Sequence, residues 1–589
     1  MLDWTGMNLP AETSALRFSR FSFEDYQLRF ADRHRLHDVV RLWARERGAQ
    51  PALIAADGSR MLAWSELERA TSALALELLA RGFERGDYLV TQLPMSIDHV
   101  LLEYACFRLG VIVAPLDLRL SAAEVIRSVE ILRPRGFAGV GLRAPFDFRS
   151  LWAALQQACP FVAQWIAVDS AAAVEGAEPF AALADRAERA ICGQEYASAE
   201  ERKKLAELDQ AVSEDDGALV IFTTGSTGSP KPALLSHKNI TVQNMCLCGA
   251  FFDGDSGRRS LVNLPASHVG GQTELLMSTL FGGGTAVLMD MFDAARTMRA
   301  IGAQQVEILG QIPIMFNLEW MLRDYAQYDV SSLKFAAYGG NAVSRPFVER
   351  LAAMAPVVGT GLGLTEAAGF CTYVEADAEE HEMILAGLGV DMPIYPCTIR
   401  EPMREDGLAG AEVAEGEIGH VCFKGPQCFL GYVNDAEATA RTLSSDGYLY
   451  TGDLGRKDAQ GLHLTGRAKW VIKSMGYQVF PGDVEEHVCA LADKVAACVT
   501  VGVEHAVVSE AVVALVEKRP GAELDARELD RHARELAPYM RPRHWILLEP
   551  GTMPLNRVGK PDHMRMQQMA CEAIVELRQQ GAWDSGLAR

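Results

Sequence analysis

From residue 36 onward, stretches of helical period alternate with short β-rich runs bounded by glycine or proline, and this alternation limits the fold more than any other feature of the chain. SELERATSALALELLARG (65–82) is followed by DYLVTQLP (87–94), and the rhythm returns between 217 and 365 with GALVIFTT, RRSLVNLPA, GGTAVLMD and LKFAAYGG as strands. Such a βα rhythm belongs to parallel sheets covered by helices, and its two blocks predict two sheet-and-helix layers. After about 390 the segments become short and turn-rich, among them GEIGHVCFKG (416–425), DGYLYTGDLGRKDAQGLHLTGR (446–467) and WVIKSMGYQVFP (470–481), which predicts a small β-barrel-like or antiparallel unit. The last 110 or so residues read as α/β, with DVEEHVCALA and ELDARELDRHARELA as helices and AACVTVGV and EAVVALVEK as strands. The expectation is an α/β protein: an N-terminal extension over 1–35 draped on the body, a large domain over 36–468 and a small C-terminal domain over 469–589.

Composition narrows the class. At 589 residues the chain is several times the length of one domain, and 49% hydrophobic with 23% charged residues is ordinary globular composition. The excess of 77 Asp+Glu over 56 Lys+Arg leaves a net charge of −21, which disfavours nucleic acid and anionic lipid as partners and requires any phosphate ligand to meet a local pocket. The apolar run VLLEYACFRLGVIVAPL (100–116) contains Glu103 and Arg108 and is shorter than the ~20 clean residues of a membrane span. The N-terminus has neither a basic nor an apolar leader region, so the expected location is the cytoplasm. Twelve scattered cysteines with no CxxC pair read as reduced thiols rather than a zinc site.

The strongest local signal is TTGSTGSPK at 223–231, directly after the apolar strand ALVIF. Gly225 and Gly228 open backbone conformations closed to other residues, and the hydroxyls of Thr223, Thr224, Ser226, Thr227 and Ser229 surround exposed amides. Such a loop cradles phosphates, with Lys231 as a point charge beside it. It is no Walker A loop, because five residues on from Gly225 stands Pro230. A Ser/Gly-rich surface turn is the bland alternative from this segment alone.

TTGSTGSPK followed by LLSHKN resembles the phosphate-binding signature of the AMP-forming adenylating enzymes, the superfamily of acyl- and aryl-CoA synthetases, peptide-synthetase adenylation domains and firefly luciferase. Further motifs follow in the family's order: LPASHVGG (264–271), GLGLTE (361–366), YLYTGDLG (448–455), the hinge-like GRAKWVIKSMGYQVFPGDVE (466–485) and PLNRVGK (554–560). Leu362 stands where the family usually has a tyrosine, and Asp483-Val484-Glu485 where it has Glu-Val-Glu.

The resemblance implies a reaction and a set of roles. Joining a carboxylate to the α-phosphate of ATP brings two anions together, so positive charge must be supplied and pyrophosphate expelled. Lys560 is implied to reach the α-phosphate and carboxylate oxygens from a small mobile C-terminal domain, and Glu366 to hold Mg2+, with Thr224 as second metal contact and Thr365 beside it. Asp453 is implied to accept both ribose hydroxyls, Arg467 to bind ribose or phosphate, and His268 to lie beside the acyl carboxylate. Gly339, Gly340, Asn341 and Gly363 complete the implied nucleotide contacts, and Lys469 is the implied hinge.

With no carrier module after residue 560, coenzyme A is the favoured acceptor, and Lys473 and Gly476 resemble the loop lining the pantetheine tunnel of CoA-using members. A stand-alone enzyme loading a carrier protein is the alternative, and a luciferase-like oxygenase has no support in the residues. The implied acyl pocket is lined by Val269, Gly270, Gly271, Tyr338, Gly339, Gly363 and Ala367, small or apolar groups suited to a bulky hydrophobic acid, aliphatic, alicyclic or aromatic. No Arg, Lys or Asp in those segments offers a partner to a second carboxylate or to an ammonium. The expected partners are thus a small-molecule carboxylic acid, ATP and CoA, with the chain acting as a monomer or homodimer in acyl metabolism such as that of fatty acids.

Overall fold

The computed structural model describes residues 21–143, 146–168, 170, 172–223, 230–251, 257–340, 343–377, 384–385, 387–392, 394–467, 470–474, 477–505, 508–556, 559–580 and 582–583. They fall into two compact units, one built from 1–225, 229–397 and 423–449 and the other from 226–228, 398–422 and 450–589.

The first unit contains the two expected sheets. In the eight-stranded sheet, Gly217–Thr223 lies parallel to Ile112–Pro115, and the order continues through Tyr88–Gln92, Gly136–Gly139, Gln164–Ala167 and Glu178–Pro179, all parallel. Lys231–Ser236 folds back antiparallel on Gly217–Thr223, and Gly431–Tyr432 adds the edge. The nine-stranded sheet has a parallel centre of Pro51–Ala55, Thr285–Leu288, Arg259–Val262, Ile308–Gln311, Phe335–Tyr338 and Val357–Thr360, flanked by antiparallel strands. Helix Ile97–Leu109 touches strands of both sheets and buries every residue but Asp98. That accounts for its apolar sequence, since a helix covered on all sides has no solvent face to mark with charge. The run weighed as a membrane candidate is thus this helix followed by strand Ile112–Pro115. Among the described residues no helix is long and apolar enough to cross a membrane.

Burial also explains Glu103 on that helix. It is fully buried, accepts from Gln272, and burial pushes its carboxyl up to about 8. The unfolded-state pKa lies near 4.3, so between that value and about 8 the folded chain holds a proton the unfolded chain has lost, and stability falls as pH rises across the window. Glu103→Gln keeps the bond from Gln272 and removes the titration. The variant should gain on the order of 4 kcal/mol over wild type between pH 5 and pH 8 in urea unfolding; a stability difference that is the same at both values sinks this account.

The second unit holds a four-stranded antiparallel sheet, Cys397–Arg400, Gly419–Phe423, Leu449–Asp458 and Gly461–Arg467, and a five-stranded sheet built on the long hairpin Val495–His505 and Ser509–Lys518. Alternation along that hairpin sorts its side chains onto two faces. Val499, Val501 and Val503 pack with Val513 and Leu515 against Met566, Ala570 and Ile574 of helix His563–Gln579. Cys498, Val512, Ala514 and Val516 pack against Val484 and Val488 of helix Pro481–Cys489 and Leu529 of helix Ala526–His532. None of the twelve cysteines is in a disulfide, and only Cys192 and Cys571 are exposed.

Within the N-terminal stretch read as draped on the body, Ser22 caps helix Phe23–Leu28, and Tyr26 is buried with its hydroxyl 2.9 Å from Thr241 Oγ1.

Candidate active site

The phosphate-loop candidate joins two strands of the eight-stranded sheet. Gly217–Thr223 and Lys231–Ser236 pair antiparallel with Thr223 opposite Lys231, so the strands bring both ends of the loop together. Thr224, Gly225, Ser226, Thr227 and Gly228 lie outside the described residues, as do Asn341, Lys469 and Gly476. Next to the hairpin, edge strand Gly431–Tyr432 places the Tyr432 ring 5.1 Å from the Lys231 ammonium, while its hydroxyl donates to Glu366 Oε1 at 2.5 Å. The Glu366 carbonyl accepts from Phe429 N–H at 2.8 Å, which fixes its 3-10 turn, Thr365–Ala367, from the same loop. Burial, with the Glu366 charge beside it, raises the Tyr432 hydroxyl far above its usual range, so it stays a donor. Tyr432 went unnoticed in the sequence because it is 66 residues from Glu366 and one of many aromatic strand residues.

A second cluster lies in the other unit. Asp453 and Arg467 are paired in the register of two adjacent strands, and Arg467 Nε lies 2.6 Å from Asp453 Oδ1. Asp453 is buried, and burial raises its pKa against the pull of the Arg467 and Lys560 charges. Lys560 follows Gly559 in a turn closed by Asn556, whose Oδ1 accepts from Lys560 N–H at 3.0 Å and whose own N–H donates to the Lys560 carbonyl at 2.7 Å. Three of the expected residues are therefore gathered on one unit. Lys473, in the hairpin Ile472–Ser474 and Tyr477–Val479, is exposed.

His268 opens the acyl side. Its Nδ1 accepts from Gly270 N–H at 3.0 Å, so the neutral ring carries its proton on Nε2. The following helix is wide-turned, a π-helix over Gly270–Met277. Its Thr273 carbonyl accepts from Asn244 Nδ2 at 2.8 Å and Ser278 Oγ at 2.9 Å, and Thr273 Oγ1 donates to the Ala368 carbonyl at 2.7 Å. Gly271 is required by close approach, because a side chain there would begin 2.5 Å from the Pro265 carbonyl oxygen.

Val269, Gly270, Gly271 and Ala367 are buried, whereas Gly363 and Gly340 are exposed and Gly339 and Thr365 half-buried. Tyr338 packs away into the core, its ring 5.5 Å from Phe347. The small and apolar residues expected to line the acyl pocket have one acidic neighbour. Glu274 of the π-helix brings its carboxylate among the pocket glycines: a side chain at Gly363 would begin 3.2 Å from Glu274 Oε1, and one at Gly270 would begin 3.5 Å from Oε2 and 3.1 Å from His268 Nδ1. Glu274 stands six residues after His268, on the helix already assigned to the pocket, and that position was the available signal.

Residues 40–433 match the family model described as AMP-binding enzyme, and residues 483–560 that of the AMP-binding enzyme C-terminal domain. The chain is 28% identical over 530 residues, 88% of its own length and 95% of the relative's, to the 3-[(3aS,4S,7aS)-7a-methyl-1,5-dioxo-octahydro-1H-inden-4-yl]propanoyl:CoA ligase of Rhodococcus jostii. It is 28% identical over 474 residues, 80% of this chain and 87% of the relative, to a feruloyl-CoA synthase of Amycolatopsis sp. In fold it is similar to the amide bond synthetase McbA from Marinactinospora thermotolerans, with a TM-score of 0.74 at 23% identity over 91% of this chain and 99% of the other. The matched models span both units in the order of the motifs, and on that ground the chain belongs to the AMP-binding enzyme family.

Proposed function

We propose that the chain is an ATP-dependent, AMP-forming carboxylate:CoA ligase that activates a hydrophobic acyl, aryl or cyclic acid as acyl-AMP and transfers it to the thiol of coenzyme A. The observation that carries this reading is the match of one chain to both the AMP-binding model and its C-terminal partner, with near full-length relatives that are CoA ligases.

In the first half-reaction a carboxylate oxygen attacks the α-phosphorus and pyrophosphate leaves. Lys560 neutralises charge developing between the two anions, Asp453 accepts from the ribose hydroxyls, and the Nε2 proton of His268 donates to the acid's carboxyl oxygen. Thr223, Lys231 and the loop between them hold the phosphates. The residues fit Mg2+: Glu366 is a half-buried carboxylate with one oxygen fixed by Tyr432, and its other oxygen has no hydrogen bond among the described residues. Mg2+ bound there with Thr224 would supply charge neutralisation of the phosphates. In the second half-reaction the CoA thiol displaces AMP, with Lys473 and Gly476 lining its approach and Lys469 as the hinge between a large domain over 36–468 and a mobile one over 469–589. The setting proposed with this reading is acyl metabolism in the cytoplasm, with the anionic substrates held in a local pocket against the chain's net charge of −21.

A panel of acids with ATP, Mg2+ and CoA tests the assignment through pyrophosphate release and thioester mass. Thioester on a carrier protein but never on CoA would favour the carrier-loading alternative. Tyr432→Phe tests the metal reading more narrowly, since it frees the Glu366 carboxylate without removing it. The Mg2+ concentration for half-maximal pyrophosphate release should rise about 10-fold or more, the usual scale for losing a group that orients a metal ligand; an unchanged Mg2+ dependence would remove Tyr432 from the site.

A further inference from the structure

Two rings join the loop of Lys560 to the strand that follows residue 469. Trp470 lies two residues before strand Ile472–Ser474, and its indole stacks on the His563 imidazole, ring centroids 5.3 Å apart and planes 20° from parallel. Offset stacking of this kind is an arrangement aromatic rings favour. His563 is the first residue of helix His563–Gln579, three positions after Lys560, and both rings are half-buried. Burial and the Arg467 charge hold the His563 pKa below the usual histidine range, so the stacked ring is neutral at pH 7.

Little chain separates the stack from the lysine. Leu555 bridges Pro561, and Asp562 N–H donates to the Pro554 carbonyl at 2.9 Å, so Lys560 sits in a closed loop whose ends meet at 554 and 562. Asp562 then caps the helix, its Oδ1 accepting from Arg565 N–H at 3.0 Å. Further along, Met566, Ala570 and Ile574 lock that helix into the core, whereas Leu555 of the loop is exposed. A loop closed on itself in this way can still rock about the start of the helix, and the start is where Trp470 presses. At its other side Trp470 runs into a strand paired with Tyr477–Val479 and, at Ser474, with Ser509, and Ile472 is buried in the core beneath. The stack thus ties the lysine loop to the five-stranded sheet. We infer that Trp470 and His563 are positioning residues for the adenylation step, their stack setting where Lys560 stands. The inference rests on the role proposed for Lys560 and adds what holds that lysine in place.

Half-reactions and hydrogen exchange on the full chain test it together. Trp470→Ala and His563→Ala should each lower kcat for pyrophosphate release on the order of 10-fold, since a displaced reacting group costs rate. KM for ATP and CoA-dependent consumption of supplied acyl-AMP should stay within a few-fold of wild type. Trp470→Phe, which keeps a ring over His563, should restore most of the loss. Independently of activity, amide exchange in peptides covering 555–562 should quicken about 3- to 10-fold in both alanine variants, the scale of one aromatic stack, while exchange across the hairpin Val495–Lys518 stays as in wild type. Unchanged exchange of the loop overturns the inference, as does quickening that extends to the hairpin, which would make the stack part of the fold alone. A loss in Trp470→Phe equal to that in Trp470→Ala also overturns it. Quickened exchange of the loop with undiminished pyrophosphate release would instead overturn the adenylation role of Lys560 and leave the hold of the stack on its loop standing.

Discussion

Replacing Lys560 with alanine should abolish acyl-adenylate formation and leave thioester formation from supplied acyl-AMP largely intact. The expected asymmetry follows from where the charge is needed. In the first half-reaction the acid's carboxylate and the α-phosphate approach each other as anions, and a cation fixed at that point is worth far more in the transition state than in bulk water. The lysine's backbone is held for that task by the Asn556 turn rather than left to wander, and its charge is felt by the buried Asp453 carboxyl, the group proposed to hold the ribose. In the second half-reaction the acyl group is already esterified to phosphate, and the attacking thiol requires no such neutralisation. Pyrophosphate release should fall about 10²- to 10³-fold or more, while CoA-dependent consumption of acyl-AMP stays within a few-fold. Release at the wild-type rate would remove Lys560 from the adenylation step, and an equal loss in both steps would point to a folding defect instead.

How far the sequence carries this arrangement depends on the range over which each feature is decided. The sheets were legible because their strands are locally marked: Gly217–Thr223 and Phe335–Tyr338 are apolar runs ending in glycine or hydroxyl residues, and burial on both faces leaves no alternative reading. Helix Ala526–His532 was overread at both ends, because the charged run ELDARELDRHARELA keeps a helical pattern beyond Asp525, which caps its start, and His532, after which the turn tightens to 3-10. Asp453 and Arg467 were each legible through their motifs, but their pairing is a matter of strand register, set by the hairpin between them.

Glu274 shows the other limit. A helix after His268 is easy to read, yet the direction of a residue six positions on differs between an ordinary helix and a wide-turned one. The wide turn here is sustained by donors from outside the helix, Asn244 and Ser278 on the Thr273 carbonyl, and by the Thr273 hydroxyl bond to Ala368. No periodicity announces such a turn. The glycines it lies against, Gly363 and Gly369, stand about ninety residues further along.

Lys469→Pro should spare adenylation and stop thiolation. Strand Gly461–Arg467 belongs to the four-stranded sheet and Ile472–Ser474 to the five-stranded one, so the chain passes from one sheet to the other within residues 468–471. Within this crossing Trp470 is stacked on His563 at 5.3 Å. A hinge works by large φ/ψ changes at a few such positions. Proline fixes φ near −65° and also restricts the residue before it, Ala468, so two of the four crossing residues lose their freedom. Helix Pro481–Cys489 rests on strand Gly461–Arg467, where a side chain at Gly482 would begin 2.7 Å from the Thr465 carbonyl oxygen, so a swing about 469 would have to part the two. Pyrophosphate release on mixing enzyme, acid and ATP should therefore stay within a few-fold of wild type, while CoA-thioester formation drops by about 100-fold or more, the scale on which catalysis suffers when reacting groups are misplaced. Thioester formation at the wild-type rate would move the hinge elsewhere in the chain, and loss of both half-reactions together would mean that 468–471 serves folding rather than motion.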